Sequence, residues 1–142
     1  MPVPQHLTNQ PVSSMMKSPV RSIAMDDTVE TIERTMSGNA LSWVPVREPG
    51  GAFVGVVSAS DLMHFHTLKK DAAKVPAWQI CTYRPITVEA SASIGEVAKS
   101  MLEHKIHHVV VVERGHAVGV VSALDFVQLV AATGSPQSPT RF

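Results

Sequence analysis

Val109-Val110-Val111-Val112-Glu113-Arg114-Gly115-His116-Ala117-Val118-Gly119-Val120-Val121-Ser122-Ala123-Leu124-Asp125-Phe126 decides the reading of this chain. Four consecutive valines predict a strand, and Glu113-Arg114-Gly115 a tight turn. Ala117 to Val121 predicts a second strand. β-Branched runs on either side of a glycine turn favour a hairpin. Ser122, followed three residues later by Asp125, marks the start of a helix. The pattern also occurs earlier in the chain. Val44-Pro45-Val46 leads through Pro49-Gly50-Gly51 into Phe53-Val54-Gly55-Val56-Val57-Ser58-Ala59-Ser60-Asp61. Gly-Val-Val-Ser-Ala-x-Asp therefore stands at Gly55 to Asp61 and again at Gly119 to Asp125.

Outward from these hairpins, the rest of the chain also pairs off. Met36 with Met101 and Leu41 with Ile106 give an offset of 65, and Gly55 with Gly119 an offset of 64. The dropped residue falls in the hairpin turn, where length changes are tolerated. Asp27-Thr28-Val29-Glu30 and Ser93-Ile94-Gly95-Glu96 both read as capping boxes, with Asp27 and Ser93 as caps. Val29, Ile32 and Met36 form one helical stripe, and Ile94, Val97, Ala98, Met101 and Leu102 a second. Gly38-Asn39 is a stop signal. Val20 to Ile23 is a strand candidate, and Arg84-Pro85-Ile86 answers Ser18-Pro19-Val20. Thr87 and Val88 then answer Arg21 and Ser22.

The expected organisation is a lead over 1–11, a first repeat over 12–68, a linker over 69–78, a second repeat over 79–131 and a disordered tail over 132–142. Each repeat is read as β-α-β-β-α. The fold class is α+β, an α/β sandwich of two pseudo-symmetric repeats packed sheet to sheet. A unit of about 50 residues buries too little surface to be stable alone, so two copies must complete one interior. The seam between them then creates two related clefts.

Composition excludes several functions. Twelve basic and twelve acidic residues cancel, which argues against a general electrostatic grip on nucleic acid. No apolar run approaches the length of a membrane span, and no secretory signal is visible. A single cysteine, Cys81, rules out an intrachain disulfide and fits a reducing, cytoplasmic location. No Gly-x-Ser-x-Gly, Gly-Lys-Ser/Thr phosphate loop or His-Glu-x-x-His is present, so no enzyme is expected. The seven histidines raise a metal-binding alternative. No standard zinc spacing occurs, and His64 and His66 on one helix would point about 200° apart. No metal site is assigned.

The two units resemble a tandem pair of CBS domains, a Bateman module. The resemblance rests on Ile106-His107-His108-Val109-Val110-Val111-Val112 with Gly119 to Asp125. It rests equally on Leu41-Ser42-Trp43-Val44-Pro45-Val46 with Gly55 to Asp61. The leads Ser14 to Val20 and Gln79 to Val88 match the family's opening, with Cys81 where that opening often has Met. It covers about residues 12 to 131, with no attached catalytic domain, as in a standalone member.

The resemblance implies regulation by an adenosine-containing ligand (AMP, ADP, ATP or S-adenosylmethionine) bound between repeats. It implies a homodimer, a flat disc of four repeats, acting on a regulated partner protein. It makes Asp61 and Asp125 acceptors for ribose hydroxyls, which suits an acceptor-only carboxylate. Both are equally read as capping-box acids. Ser58 and Ser122, at helix starts, are phosphate contacts in the family, or simple N-caps. His107 and His108 would face phosphate, though alternation sends only one of them toward a cleft. The first copy carries Ser42 and Trp43 there, so the two clefts are not equivalent. Thr87 would offer a hydroxyl, and Ile86, Val109 and Val111 an adenine pocket or plain core. The competing reading is a constitutive interaction module whose clefts are plugged by residues such as Trp43 or Met63. Val29/Ile32/Met36 and Leu124/Val127/Ala131 are candidate dimer faces.

Overall fold

A computed structural model describes residues 5–18, 20–83 and 85–133. Pro19, Arg84 and most of the tail expected to be disordered lie outside the described residues. A four-residue helix α1 (Gln5–Thr8) and a 3₁₀ turn (Val12–Ser14) come first. The first repeat follows as β1 (Ile23–Ala24), α2 (Val29–Gly38), β2 (Trp43–Arg47), β3 (Phe53–Ser58) and α3 (Ala59–Thr67). A second 3₁₀ turn (Ala77–Gln79) and β4 (Thr82–Tyr83) precede the second repeat. That repeat comprises β5 (Thr87–Glu89), α4 (Ile94–His104), β6 (His108–Glu113), β7 (His116–Ser122) and α5 (Ala123–Thr133). Each repeat is β-α-β-β-α, as the sequence predicts.

Two sheets result. One has the order β1-β2-β3-β4 and the other β5-β6-β7. β1 pairs with β2 in parallel, Ile23 opposite Val46. β5 pairs with β6 in parallel, Val88 opposite Val111. These registers set Val88 against Ile23 and Thr87 against Ser22, one residue away from the pairing expected. The strand expected at Val20 to Ile23 forms only at Ile23–Ala24. Both hairpins shift register at one place, between Val46 and Arg47 and between Val111 and Val112. A bulge of this kind bends the strand as it enters its turn.

The leads are exchanged between the repeats. β4, which precedes repeat two, pairs with β3 of repeat one, Thr82 opposite Val56. Lys17, which precedes repeat one, pairs with Val120 of repeat two through N–H···O contacts of 3.0 and 3.2 Å. Val12 N–H donates to Ala92 O and Ala77 N–H to Asp27 O, both at 2.7 Å. The cores record the same exchange. Ala77 is buried with Ile23, Ile32, Met36, Val44, Val46 and Val57. Val12 is buried with Val97, Met101, Val109, Val111 and Val121. Each half is thus closed by a turn from the other, which joins two marginal units into one interior.

Capping differs in one detail from expectation. Thr28, not Asp27, caps α2, its hydroxyl accepting from Thr31 N–H. The Asp27 carboxylate turns back instead to Ala24 N–H at 2.9 Å. Glu30 is then one residue too early for a box, and it pairs with Arg34. α4 does carry the full box, Ser93 with Glu96. α2 ends at Asn39, as its stop signal predicts.

Candidate functional site

β2 and β6 are equivalent strands, and their first residues meet at the seam. Trp43 and His108 stand edge to face, with ring centroids 5.1 Å apart. An edge-to-face contact of this kind is a favourable aromatic geometry. Ser42 Oγ lies 3.5 Å from His108 Nε2. At the opposite end the hairpin tips touch, Phe53 N–H donating to Gly115 O at 2.9 Å.

Beside the Trp43–His108 pair opens a cleft of about 590 Å³. Its wall combines both repeats: Trp43, Val56 and Ser58 from the first, Thr82, Ile86 and Val110 from the second lead and sheet. His107 and His108 both line it, where alternation predicts one, because β6 begins only at His108 and His107 precedes the strand. This volume falls in the range of small-molecule pockets. Val110 faces the cleft, whereas Val109 and Val111 are fully buried in the second core. Strand alternation explains the split. Of the apolar residues expected to line a pocket, Ile86 does so. Met63 is exposed and plugs nothing, while Trp43 forms one wall and leaves the cleft open.

Ser58 and Asp61 stand at the start of α3 and form a complete capping box. Asp61 Oδ2 accepts Ser58 N–H at 2.8 Å, and Ser58 Oγ accepts Asp61 N–H at 3.2 Å. Asp61 Oδ1 accepts no hydrogen bond from the described residues. Ser122 and Asp125 repeat the box at the start of α5, at 2.8 and 3.2 Å. There the second carboxylate oxygen is engaged: Lys17 Nζ lies 3.3 Å from Asp125 Oδ1. Asp125 is the buried charged residue among the described ones, at 7% exposure. Both acids therefore cap, as expected, and only the first keeps an oxygen that accepts from no donor among the described residues.

The seven candidate positions separate in space. Ser58, His107 and His108 line one cleft, with Asp61 one turn into the helix that Ser58 caps. Ser122 and Asp125 belong to the other side of the seam. Thr87 is exposed on β5, opposite Val110, outside the lining residues. The threonine that lines the cleft is Thr82, five residues earlier. Sequence reasoning passed over Thr82 and Lys17, although the 65-residue offset aligns one with the other.

Burial holds the His108 imidazole below the usual histidine range, and His107 adds to the effect while Asp125 opposes it. His108 is therefore neutral at pH 7. Burial pushes the Cys81 thiol up, against a hydrogen bond with Tyr83 that pulls it down. A thiol held protonated is a poor nucleophile. Among the described residues no three His, Cys, Asp or Glu side chains gather as metal ligands. His66 pairs instead with Glu33 at 2.9 Å. No helix among the described residues is long and apolar enough to cross a membrane.

Two interlocked β-α-β-β-α units with a cleft on their seam define a paired-repeat α+β module. The CBS domain family model matches this chain twice, over residues 12–67 and 77–132, and the chain belongs to the CBS domain family. A CBS domain protein from Pyrobaculum aerophilum complexed with AMP is 28% identical, with a TM-score of 0.74 over 87% of this chain and 99% of that one. The CBS domain of a CBS domain-containing membrane protein from Sphaerobacter thermophilus is 24% identical, with a TM-score of 0.76 over 88% of this chain and 90% of that one. A curated relative, homoserine O-acetyltransferase from Methanococcoides burtonii, is 27% identical over 125 residues. Those residues are 87% of this chain, which spans about a quarter of that relative's length.

Proposed function

We propose that this chain is a regulatory module that senses an adenosine-containing ligand in the cleft between Trp43, Ser58, Thr82 and His108. The carrying observation is the convergence there of two histidines and a helix start, Ser58, whose capping partner Asp61 has one oxygen free of described donors. In this reading Asp61 takes the ribose hydroxyls. A carboxylate oxygen with no competing donor among the described residues suits a vicinal diol. Ile86, Val110 and Trp43 offer the apolar and aromatic surface that an adenine ring needs. His107 and His108 face the phosphate. A complex with AMP in a relative of the same fold supports the ligand class, which extends to ADP, ATP and S-adenosylmethionine.

The output is a change in how the repeats sit against each other, felt by a partner protein. A ligand can drive this only as far as it binds one arrangement better than the other. The module is regulatory, not catalytic, and a single free thiol suits a cytoplasmic setting.

Isothermal titration with AMP, ATP and S-adenosylmethionine tests the reading. At least one ligand should bind, and AMP should bind more tightly as pH falls, because protonated imidazole is the better phosphate partner. Asp61→Asn should weaken binding at least tenfold, about 1.5 kcal/mol, in line with loss of a hydrogen bond to a charged group. No heat and no rise in melting temperature at millimolar ligand would overturn the proposal.

The second reading, an assembly module, is favoured by a separate apolar groove of about 570 Å³ between α4 and α5. Met101, Leu102, Ala98, Phe126 and Leu129 line it. Leu102 is 79% exposed, Val127 62% and Leu124 60%. Of the two dimer faces expected, Val29/Ile32/Met36 is consumed by the chain's own core, which leaves the α5 face. A second copy is the occupant proposed, and light scattering tests it. Leu124→Glu should then halve the measured mass.

A further inference from the structure

We propose that the pseudo-symmetric counterpart of this cleft, at Ser122 and Asp125, is latched by the chain's own Lys17, so that each chain carries one receptive site and one self-occupied site. The choice of probe rests on the adenosine-ligand reading above. The latch itself rests on a difference between two sites that the backbone makes equivalent.

The equivalence is close. Lys17 crosses β7 opposite Val120 as Thr82 crosses β3 opposite Val56. Met16 and Cys81 precede them, against Gly119 and Gly55. Ser122 and Asp125 repeat Ser58 and Asp61, hydrogen bond for hydrogen bond. What differs is the side chain delivered to the aspartate. Thr82 is short and neutral, and brings no charge to Asp61. Lysine at 17 spans the gap, and its ammonium sits 3.3 Å from Asp125 Oδ1. Asp125 then has one oxygen on Ser122 N–H and the other on Lys17.

A ribose diol entering this site must displace a charged donor with neutral ones. Charge-assisted hydrogen bonds are roughly twice as strong as neutral ones, so the exchange is unfavourable at the aspartate. Met16 adds bulk. Its side chain lies directly against Gly119, where the shorter Cys81 Sγ stands at Gly55. Lys17 itself is 68% exposed, so the latch is a competitor that can be removed, not a buried plug whose loss would collapse the core.

The experiment counts AMP bound per chain by titration calorimetry and equilibrium dialysis on the full chain. The proteins are wild type, Lys17→Thr, and Met16→Cys with Lys17→Thr, which gives the first lead the Cys-Thr pair of the second. Lys17→Met keeps the side-chain length, removes the charge, and serves if the threonine variant is unstable. Circular dichroism confirms the fold of each. Wild type should bind one AMP, and the double variant two. Adding Asp125→Asn to the double variant should return the count to one.

Two AMP in wild type, or one AMP in every folded variant, would overturn the latch while leaving the first cleft's reading intact. Weaker binding in Lys17→Thr would overturn it too, by making Lys17 a ligand contact. No AMP in wild type with one in Lys17→Thr would uphold the latch and sink the reading of the first cleft. No AMP in any protein would overturn both.

Discussion

Gly55 and Gly119 hold the same place in their hairpins, and each is crossed by the lead of the other repeat. What crosses them differs. A Cβ built on Gly55 would lie 2.5 Å from the backbone oxygen of Thr82 and 3.3 Å from Cys81 Sγ. A Cβ on Gly119 would have the side chain of Met16 as its nearest neighbour. The first contact is with a paired strand that cannot retreat without losing its hydrogen bonds. The second is with a flexible thioether that can adopt another rotamer. The twins share a topology, and both leads pair by main chain, but the glycine of one hairpin is crowded by main chain and that of the other by a side chain.

The largest effect that tests this contrast is Gly55→Ala. Overpacking against fixed neighbours costs about 1–3 kcal/mol, and separation of β4 from β3 would place this change at the upper end. Gly119→Ala should cost less than about 1 kcal/mol, because Met16 can move and a glycine replacement also restricts the unfolded chain. Urea denaturation of the two variants measures the gap directly. Equal losses would show that the two crossings are mechanically alike and would break the comparison.

A middle-sized effect comes from the first helix of each repeat. Ser93→Ala should cost about 1 kcal/mol, since it removes the side-chain acceptor that serves Glu96 N–H. Glu96→Ala should cost a few tenths by removing the reciprocal bond to Ser93 N–H. Thr28→Ala should cost about the same as Ser93→Ala, but Glu30→Ala should lose only the exposed pair with Arg34, worth roughly 0–1 kcal/mol. Thermal melts sharpen the comparison here. A capping loss at Glu30 would mean that α2 starts one residue earlier than Thr28 dictates.

These helix starts also show what could be read in advance. Duplication, both hairpins and the starts of α3 and α4 were legible because each depends on residues within a few positions. The cap of α2 was misplaced because Asp27 and Thr28 are both good caps. The decision fell to a turn, in which Asp27 had a second partner in Ala24 N–H. The exchange of leads was illegible for a different reason. Val12 and Ala77 look alike in any local window, and only the finished fold shows that each is buried in the other's core. The cleft suffered likewise. Ser58, His107 and His108 were picked out singly, but no spacing says that a residue of one copy's helix start faces the other copy's strand. Thr82 and Lys17 went unnoticed because a short lead has no periodicity to mark it.

The smallest effect lies at the seam itself, where Trp43 and His108 are counterparts and only one can titrate. Burial, with His107 adding to it, depresses the folded-state affinity of His108 for a proton, while Asp125 raises it. Lys17, paired with Asp125, blunts that opposing charge. The unfolded chain binds its proton near pH 6.5. Between that value and the lower folded one, the unfolded state carries more protons than the native state, so stability rises with pH across this window. Above pH 6.5 both states are neutral and the contribution is complete. Below the folded value both are charged, and the folded protein bears the full cost of desolvating the cation. His108→Gln removes this titration and leaves the other histidines in place. The difference in melting temperature between wild type and His108→Gln should therefore change as pH falls below about 7 and be constant above it. A difference independent of pH over that range would show that His108 is solvated like an ordinary surface histidine, and that the seam treats its two central rings alike.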